Sequence, residues 1–338
     1  MQKKSIDQIL KDFKAGDSDI KIIAIHDLIR ICGGEEKRIP LEFQTQVFES
    51  LMEGIKSQSL DLQGNSLKGL SELCNLAEIS VISNLVNQLM QAVLVANEGR
   101  DPSISALKSL MMNLKKESGE PVFASVWKFC LSEILSANSK TQSKQEIFGL
   151  ILEIAGVVLK NSGVQIDGQT ENQLVEYLVG LLIKKSGLNK KVIFLLSALS
   201  ENGSTSSSNQ ILQSLFSNLQ SASISNQISL LSALANIIKA SWPNVKNKTE
   251  FLSTLLNMSN SFSLETIEDF ENLNDVLEQC YFCLLNISQF PSPEILKAYQ
   301  DIFSVCKKGL SHDPNNSLQE DKNKMNVEED YDGNQYEL

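Results

Sequence analysis

The chain has 338 residues, of which 42% are hydrophobic, and its formal net charge is −11. This length accommodates either two globular domains or one elongated array of repeats. The negative charge argues against nucleic acid as the main partner, because phosphate binding needs a basic surface, and it favours a basic protein surface as the partner instead.

Neither a secretory leader nor a membrane span is predicted. The N-terminus has no charged region followed by an apolar run that ends in small residues. The longest apolar run, residues 147–159, is interrupted by Glu153 and is too short to cross a bilayer.

Two helices are predicted at the start of the chain. Residues 5–14 form a short amphipathic helix, and a polar turn then leads into an apolar helix within residues 16–32. In this second helix, apolar residues three or four positions apart share one face, which consists of Ile22, Ile25, Ile29 and Cys32. Because further apolar residues widen this face, the helix is predicted to be buried along most of its circumference. Both helices then need a third element, from the next part of the chain, to cover their remaining apolar sides.

The same arrangement recurs along the chain. Further polar turns followed by long apolar helices begin near residues 61, 101, 144, 189, 225 and 275. Pairs of helices that repeat at roughly forty residues are typical of HEAT and armadillo repeats. We therefore predict an all-α fold, a HEAT-repeat superhelix or α-solenoid of about seven and a half helix pairs. Each pair would bury its apolar side against its neighbours.

Turn-forming residues mark the predicted joints and loops. Gly33-Gly34 and Gly119-Glu120-Pro121 predict joints between successive pairs. Residues 201–209, ENGSTSSSN, predict a long surface loop inside the solenoid. Residues 260–274 predict an acidic insertion between the two helices of the seventh pair.

The C-terminal part divides into a helix and a tail. Residues 293–310 predict one final helix without a second helix to pair with it. The residues that follow are strongly acidic and almost free of apolar side chains, a composition that cannot form a packed core. The solenoid is therefore assigned to residues 1–312 and a disordered acidic tail to residues 313–338.

The six cysteines are predicted to be buried thiols. All of them lie in apolar helical stretches, where a free thiol behaves as a small hydrophobe, and this indicates a reducing compartment. Cys280 and Cys283 have the spacing of a metal or redox pair. Zinc needs two further ligands, and the only histidines, His26 and His312, lie far away in sequence. No metal or other cofactor is therefore expected.

No catalytic constellation is found in the sequence. His26-Asp27 is similar to the metal dyad of all-α phosphohydrolases, but those enzymes need further histidines from other helices. A polar pair on a surface between repeats is the preferred interpretation. Gly-rich phosphate loops, Gly-x-Ser-x-Gly elbows and paired-histidine zinc motifs do not occur. The chain is therefore not expected to be an enzyme.

Polar residues near the start of the second helices are the predicted contacts to a protein partner. In stacked helix pairs, one set of helices lines a surface that extended solenoids use for binding. The residues in such positions are Asp19, Lys21, Asp61, Gln63, Arg100, Asp101, Lys190 and Lys191.

A structural role is the alternative for some of these residues. An aspartate at a helix start accepts backbone N–H bonds, which stabilises the fold by ~1 kcal/mol. Helix capping is the preferred interpretation for Asp61 and Asp101. Lys190 and Lys191 at a helix start oppose the helix dipole, which favours a binding role for them.

Four stretches together resemble one known family. They are DIKIIAIHDLI at 19–29, RDPSISALKSL at 100–110, NKKVIFLLSALS at 189–200, and VCKKGLSHDPN at 305–315 with the acidic run after it. In order and approximate spacing they resemble the N-terminal end of the cullin-associated, neddylation-dissociated proteins.

This resemblance implies a specific binding function. It implies a HEAT-repeat superhelix that wraps the C-terminal region of an unneddylated cullin and its RING subunit. Such a protein regulates assembly and adaptor exchange of cullin–RING ubiquitin ligases in the cytoplasm and nucleus. His26 lies in the first repeat and, by the same resemblance, is a candidate partner contact. The adaptor-displacing element of the family lies at its far C-terminal end, which this sequence lacks, and we expect this chain to be monomeric on its own.

Other helical-repeat functions remain open from the residues alone. Without the resemblance, the periodicity supports only a helical-repeat protein that binds another protein. The alternatives are a nuclear transport receptor or a phosphatase scaffold, since both use similar acidic arrays.

Overall fold

The computed structural model describes residues 4–310 except 35–36, 96–99, 137–141, 185–186, 203–204, 220, 246 and 262–266. Within these ranges the chain forms sixteen α-helices and two short 3-10 turns, Cys74–Leu76 and Trp242–Asn244. The same ranges contain no β-strand. The all-α prediction is therefore confirmed.

The helices are numbered α1 to α16 in chain order. They are α1 (Ile6–Ala15), α2 (Ser18–Gly33), α3 (Leu41–Ile55), α4 (Leu60–Leu73), α5 (Ile79–Leu94), α6 (Arg100–Asn113), α7 (Lys116–Ser136), α8 (Gln142–Ser162), α9 (Gly168–Ile183), α10 (Asn189–Asn202), α11 (Thr205–Leu219), α12 (Ile224–Ser241), α13 (Lys248–Ser261), α14 (Ile267–Ser288), α15 (Pro293–Lys297) and α16 (Tyr299–Leu310). None of these helices is both long enough and apolar enough to cross a membrane.

The chain divides into two compact units, Met1–Ser207 and Ser208–Leu338. In the first unit each odd-numbered helix packs against the even-numbered helix that follows it. The even-numbered helices α2, α4, α6, α8 and α10 pack side by side in chain order, and α1, α3, α5 and α7 do the same. This two-layer arrangement of helix pairs is the one expected for stacked repeats. In the second unit α14 packs against α12 and α13, and α16 packs against α13 and α14.

The first pair shows which part of the predicted core is buried. The amphipathic face of α1 is covered as predicted, and Ala24, Ile25, Leu28 and Cys32 of α2 are buried. Ile20 and Ile23 of α2 are exposed, however, so the predicted burial along most of its circumference is wrong on its outer side. Helix α2 buries the side that faces α1 and α4, and its outer side carries exposed residues.

The predicted joint at Gly119–Pro121 is wrong, because α7 begins earlier, at Lys116. Gly119 is buried inside the helix, where a Cβ atom would come within 2.5 Å of Leu114. Pro121 lies in the second turn of α7, where it removes one backbone hydrogen bond, and the helix continues past it to Ser136. The joint lies instead at Leu114 and Lys115, between the end of α6 and the start of α7.

The predicted loop at 201–209 is also wrong over most of its length. The helix α10 continues to Asn202 and α11 begins at Thr205, while residues 203–204 lie outside the described residues. Ser207 and Ser208 are buried. Burial and hydrogen bonding of these serines stabilise a helical start that the flexible composition of the segment does not indicate.

The C-terminal elements differ from prediction as well. Residues 267–274 of the predicted insertion belong to α14, and residues 262–266 lie outside the described residues. The single final helix is divided at Ala298 into α15 and α16. The assigned tail, 313–338, lies outside the described residues, so the predicted disorder and the boundary at 312 stay predictions.

Candidate protein-binding surface

The outer sides of the even-numbered helices of the first unit form the candidate binding surface. Along α2 the exposed side chains recur three or four residues apart, which places them in one stripe. We call the exposed outer residues of α2 to α10 the second-helix surface. They are Asp19, Ile23, His26, Arg30, Asp61, Lys68, Glu72, Asp101, Ser105, Met112, Glu146, Lys190 and Glu201.

Residues one repeat apart hydrogen-bond to each other along this surface. The Nε2 atom of His26 lies 2.8 Å from Oδ1 of Asn65, although the two residues are 39 positions apart. The Nδ2 atom of Asn65 donates to the carbonyl of Asp61 at 2.8 Å. His26 and Asp61 are therefore brought together by a residue that the sequence reasoning did not select.

A second set of contacts joins α4 to α6. The hydroxyls of Ser71 and Ser109 are 2.7 Å apart. Asn75 donates from Nδ2 to the carbonyl of Asn113 at 2.7 Å and accepts from the Lys115 backbone N–H at 2.7 Å. These bonds join the second and third repeats. They also provide hydrogen-bond partners for backbone groups at the end of α6.

A carboxylate between two lysines joins α6, α8 and α10. Glu153 of α8 lies 2.6 Å from Nζ of Lys108 and 3.8 Å from Nζ of Lys191. The predicted contact Lys191 is therefore held by an ion pair within the chain. In the sequence Glu153 only interrupts an apolar run, and its bridging position follows from the packing of α8 between α6 and α10.

Two further ion pairs connect neighbouring even-numbered helices. Arg100 at the start of α6 lies 3.5 Å from Glu146 of α8 and 3.4 Å from Asp101. Near the C-terminal ends of α8 and α10, Lys160 of α8 lies 3.4 Å from Glu201 of α10. The same ammonium lies 5.2 Å from the ring centroid of Phe194, a cation–π distance.

Four predicted contacts are not among the residues of the second-helix surface: Arg100 and Lys191, which form the ion pairs described above, and Lys21 and Gln63. Lys21 turns towards the odd-numbered helices, where its ammonium lies 2.6 Å from Glu53 and 5.1 Å from the ring centroid of Phe13. Gln63 donates from Nε2 to the carbonyl of Ser57 and so supports the turn between α3 and α4. Both residues have structural contacts that account for their positions.

The capping interpretation of the two aspartates is wrong in detail. The N-cap of α4 is Ser59, whose hydroxyl accepts from the Leu62 N–H, and Asp61 is exposed in the first turn. Asp101 is the second residue of α6 and is also exposed. An acid in a first turn interacts favourably with the helix dipole, but it leaves the side chain available to solvent. Asp19 and Lys190 are likewise exposed at the starts of their helices.

Five of the six cysteines are buried, and Cys306 is half-buried. Burial raises the pKa of the Cys280 thiol to about 12 and also raises the pKa of Cys283. The Cys283 thiol donates to the carbonyl of Leu231 at 3.6 Å. The pair therefore behaves as buried thiols, as predicted. In the part of the chain that the structure describes, no group of three or more His, Cys, Asp or Glu side chains is arranged to hold a metal ion.

Known structures share this architecture. Kap121p bound to Pho4p matches with a TM-score of 0.60 and 14% identity, over 89% of this chain and 31% of that chain. Kap95p, in a structure with RanGDP, matches with a TM-score of 0.59 and 13% identity, over 88% of this chain and 39% of that chain. Importin beta matches with a TM-score of 0.56 and 15% identity, over 89% of this chain and 39% of that chain.

These similarities show the fold and no more than the fold. The fold is a HEAT-repeat α-solenoid, as predicted. The chain spans 31% to 39% of the lengths of these three structures. No family model matches the sequence, and no curated protein matches it.

Proposed function

We propose that this chain is a protein-binding scaffold whose second-helix surface receives a protein partner. One observation carries the proposal: the outer sides of five consecutive even-numbered helices bear exposed polar and charged residues, while their other sides form the core. Inter-repeat hydrogen bonds and ion pairs hold these helices in register, so the surface is preorganised. A preorganised surface loses less conformational entropy on binding.

The charge of the chain indicates the chemistry of the partner. The net charge is −11, and acids of the second-helix surface lie at the exposed starts of α2, α4 and α6. Surfaces of opposite charge accelerate association and suppress wrong partners. A protein partner with a basic face fits these features.

The first candidate partner is a cullin with its RING subunit. The support is the sequence resemblance at residues 19–29, 100–110 and 189–200, which lie in α2, α6 and α10. In this proposal the chain wraps the C-terminal region of an unneddylated cullin and regulates adaptor exchange of the ligase. It acts as a monomer in the cytoplasm and nucleus, and Asp19, His26, Asp61, Asp101 and Lys190 contact the partner.

The second candidate is nuclear transport. It is favoured by the fold similarity to importin beta, to Kap121p bound to Pho4p and to Kap95p in a structure with RanGDP. In this proposal the same surface holds a small GTPase.

Size-exclusion chromatography separates the two candidates. The chain is mixed in turn with an unneddylated cullin–RING complex, the neddylated form of that complex, and Ran loaded with GTP. Co-elution with the unneddylated complex and not with the neddylated one is the result expected for the first candidate. Co-elution with Ran alone overturns the cullin proposal and supports transport, and separate elution from all three overturns both.

A further inference from the structure

A cavity beside the first turn of α9 contains a buried carboxylate. The cavity has a volume of about 130 Å³ and is lined by Leu159, Val164, Gln165, Ile166, Gly168, Glu171, Leu199 and Asn202. A cavity needs only about 10–15 Å³ of such volume to hold one water, so several heavy atoms fit here. Glu171 is 7% exposed, whereas Gln165 and Gly168 are exposed and mark the opening to solvent.

The carboxylate of Glu171 is only partly compensated within the chain. Ser207 donates its hydroxyl to Oε2 of Glu171 at 2.6 Å, and among the described residues it is the one hydrogen-bond donor to this carboxylate. The start of α9 is already capped by Asp167, which accepts from the Thr170 N–H at 2.9 Å. Lys116 reaches the loop at Gly163, but it does not line the cavity. Burying a charge is costly unless an opposite charge and hydrogen bonds accompany it.

The walls of the cavity suit an aliphatic chain that ends in a cation. Leu159 and Leu199 are buried, and Val164 and Ile166 add apolar side chains nearer the opening. A lysine side chain places its methylene stem along apolar surface while its ammonium takes polar contacts. The side-chain amide oxygens of Asn202 and Gln165 are acceptors of the kind that an ammonium needs beside a carboxylate.

The position of the cavity connects it to the second-helix surface. Leu159 and Asn202 line the cavity, and the residues next to them, Lys160 and Glu201, form the ion pair between α8 and α10. The cavity therefore lies next to Glu201, a residue of the second-helix surface.

We propose that the cavity of Glu171 is an anchoring site for a lysine side chain of a basic protein partner. The lysine ammonium pairs with the Glu171 carboxylate, and its stem packs between Leu159 and Leu199. Since the lysine belongs to the partner, the inference rests on the proposed binding function.

The test uses a peptide and does not depend on the identity of the partner. Binding of acetyl-Gly-Gly-Lys-Gly-Gly-amide to the full chain is followed by chemical-shift changes in NMR spectra, beside a matched peptide with norleucine in place of lysine. The lysine peptide is expected to bind at least about tenfold more tightly, and E171Q is expected to remove that difference. Signals of Leu159, Leu199 and Asn202 should shift with the lysine peptide.

The control variant is E176Q, which removes an exposed carboxylate from the same helix and should leave peptide binding unchanged. Thermal unfolding of E171Q at or above the wild-type midpoint shows that the variant is folded, as expected when a buried charge is removed. Equal binding of the two peptides, or lysine-peptide binding that survives in E171Q, overturns the cavity proposal. If the lysine peptide binds while cullin–RING and Ran both elute separately, the cavity proposal stands and the partner proposals fail.

Discussion

At the residue scale, small side chains set the distance between paired helices. Gly54 of α3 faces Ser66 of α4, and a Cβ atom at position 54 would overlap the Ser66 hydroxyl and lie 3.1 Å from the Ser66 Cβ. Both residues are buried. The two backbones approach closely at this point, and this packing requires glycine at position 54. Packing therefore matters more here than the low helical propensity of glycine.

Substitution of Gly54 by alanine tests this packing directly. Gly→Ala in a helix ordinarily stabilises by about 0.5–1 kcal/mol, as is expected for Gly64→Ala, where nothing lies within 4 Å of the added Cβ. For Gly54→Ala the overlap with Ser66 dominates, and a loss of about 1–3 kcal/mol is expected. Urea unfolding of both variants measures the difference. A stabilising effect of Gly54→Ala as large as that of Gly64→Ala would show that α3 and α4 are not in close contact here.

Individual residues also show where sequence reasoning reached its limit. Burial of five of the six cysteines and the apolar core of α1 follow from local pattern and are confirmed, whereas Cys306 is half-buried. Asn65 and Glu153 were missed as bridging residues because each is an ordinary polar residue in its own helix. The repeat period is the sequence signal that identifies such bridging pairs. His26 and Asn65 are 39 residues apart, and Lys160 and Glu201 are 41 residues apart. Polar residues separated by one repeat are adjacent on neighbouring even-numbered helices.

At the element scale, one asparagine joins two repeats through backbone groups. Asn75 follows α4 and bonds both to the last residue of α6 and to the residue before α7. Helix ends leave carbonyl and N–H groups without intrahelical partners, so such a side chain replaces bonds that the helices cannot make.

Loss of this side chain should loosen the junction between α6 and α7. Asn75→Ala removes two hydrogen bonds and is expected to cost about 1–3 kcal/mol. The matched control is Asn113→Ala, which removes only a bond to Ser109 within α6 and keeps the carbonyl that Asn75 uses. Amide hydrogen exchange at Lys115 is the specific measurement: it should accelerate in Asn75→Ala and stay near wild type in Asn113→Ala. Unchanged protection of Lys115 in both variants would contradict the proposed junction.

The errors in element prediction have a common physical cause. Gly119, Pro121 and the serine-rich run at 205–209 have compositions typical of turns, but all lie within helices. The helical state of the serine-rich run is supported by a contact with another helix, the hydrogen bond from Ser207 to Glu171 of α9. The local sequence does not reveal a contact with a residue far away in the chain. The repeat period of roughly forty residues, in contrast, can be read from the sequence itself.

At the scale of the whole molecule, the repeat period predicted the fold class and the charge indicated the kind of partner. The identity of the partner does not follow from either. A HEAT-repeat solenoid exposes the outer sides of its helices whatever it binds, so similar architecture is compatible with different partners. The choice between a cullin–RING complex and a transport partner therefore depends on side chains of the second-helix surface.

The second-helix surface is the proposed binding site of the partner, and its exposed acids offer a direct test. Asp19, Asp61 and Asp101 are exposed acids in the first turns of α2, α4 and α6. Reversal of all three charges, in D19K/D61K/D101K, should repel a basic partner. The matched control E42K/E117K/E120K changes the net charge equally, near the starts of the odd-numbered helices α3 and α7.

The decisive measurement is the dissociation constant of each variant for whichever partner co-elutes with the wild-type chain. We expect at least about tenfold weaker binding for D19K/D61K/D101K and a change within about twofold for E42K/E117K/E120K. Equal weakening in both variants, or greater weakening in the control, would contradict the claim that the partner lies on the second-helix surface.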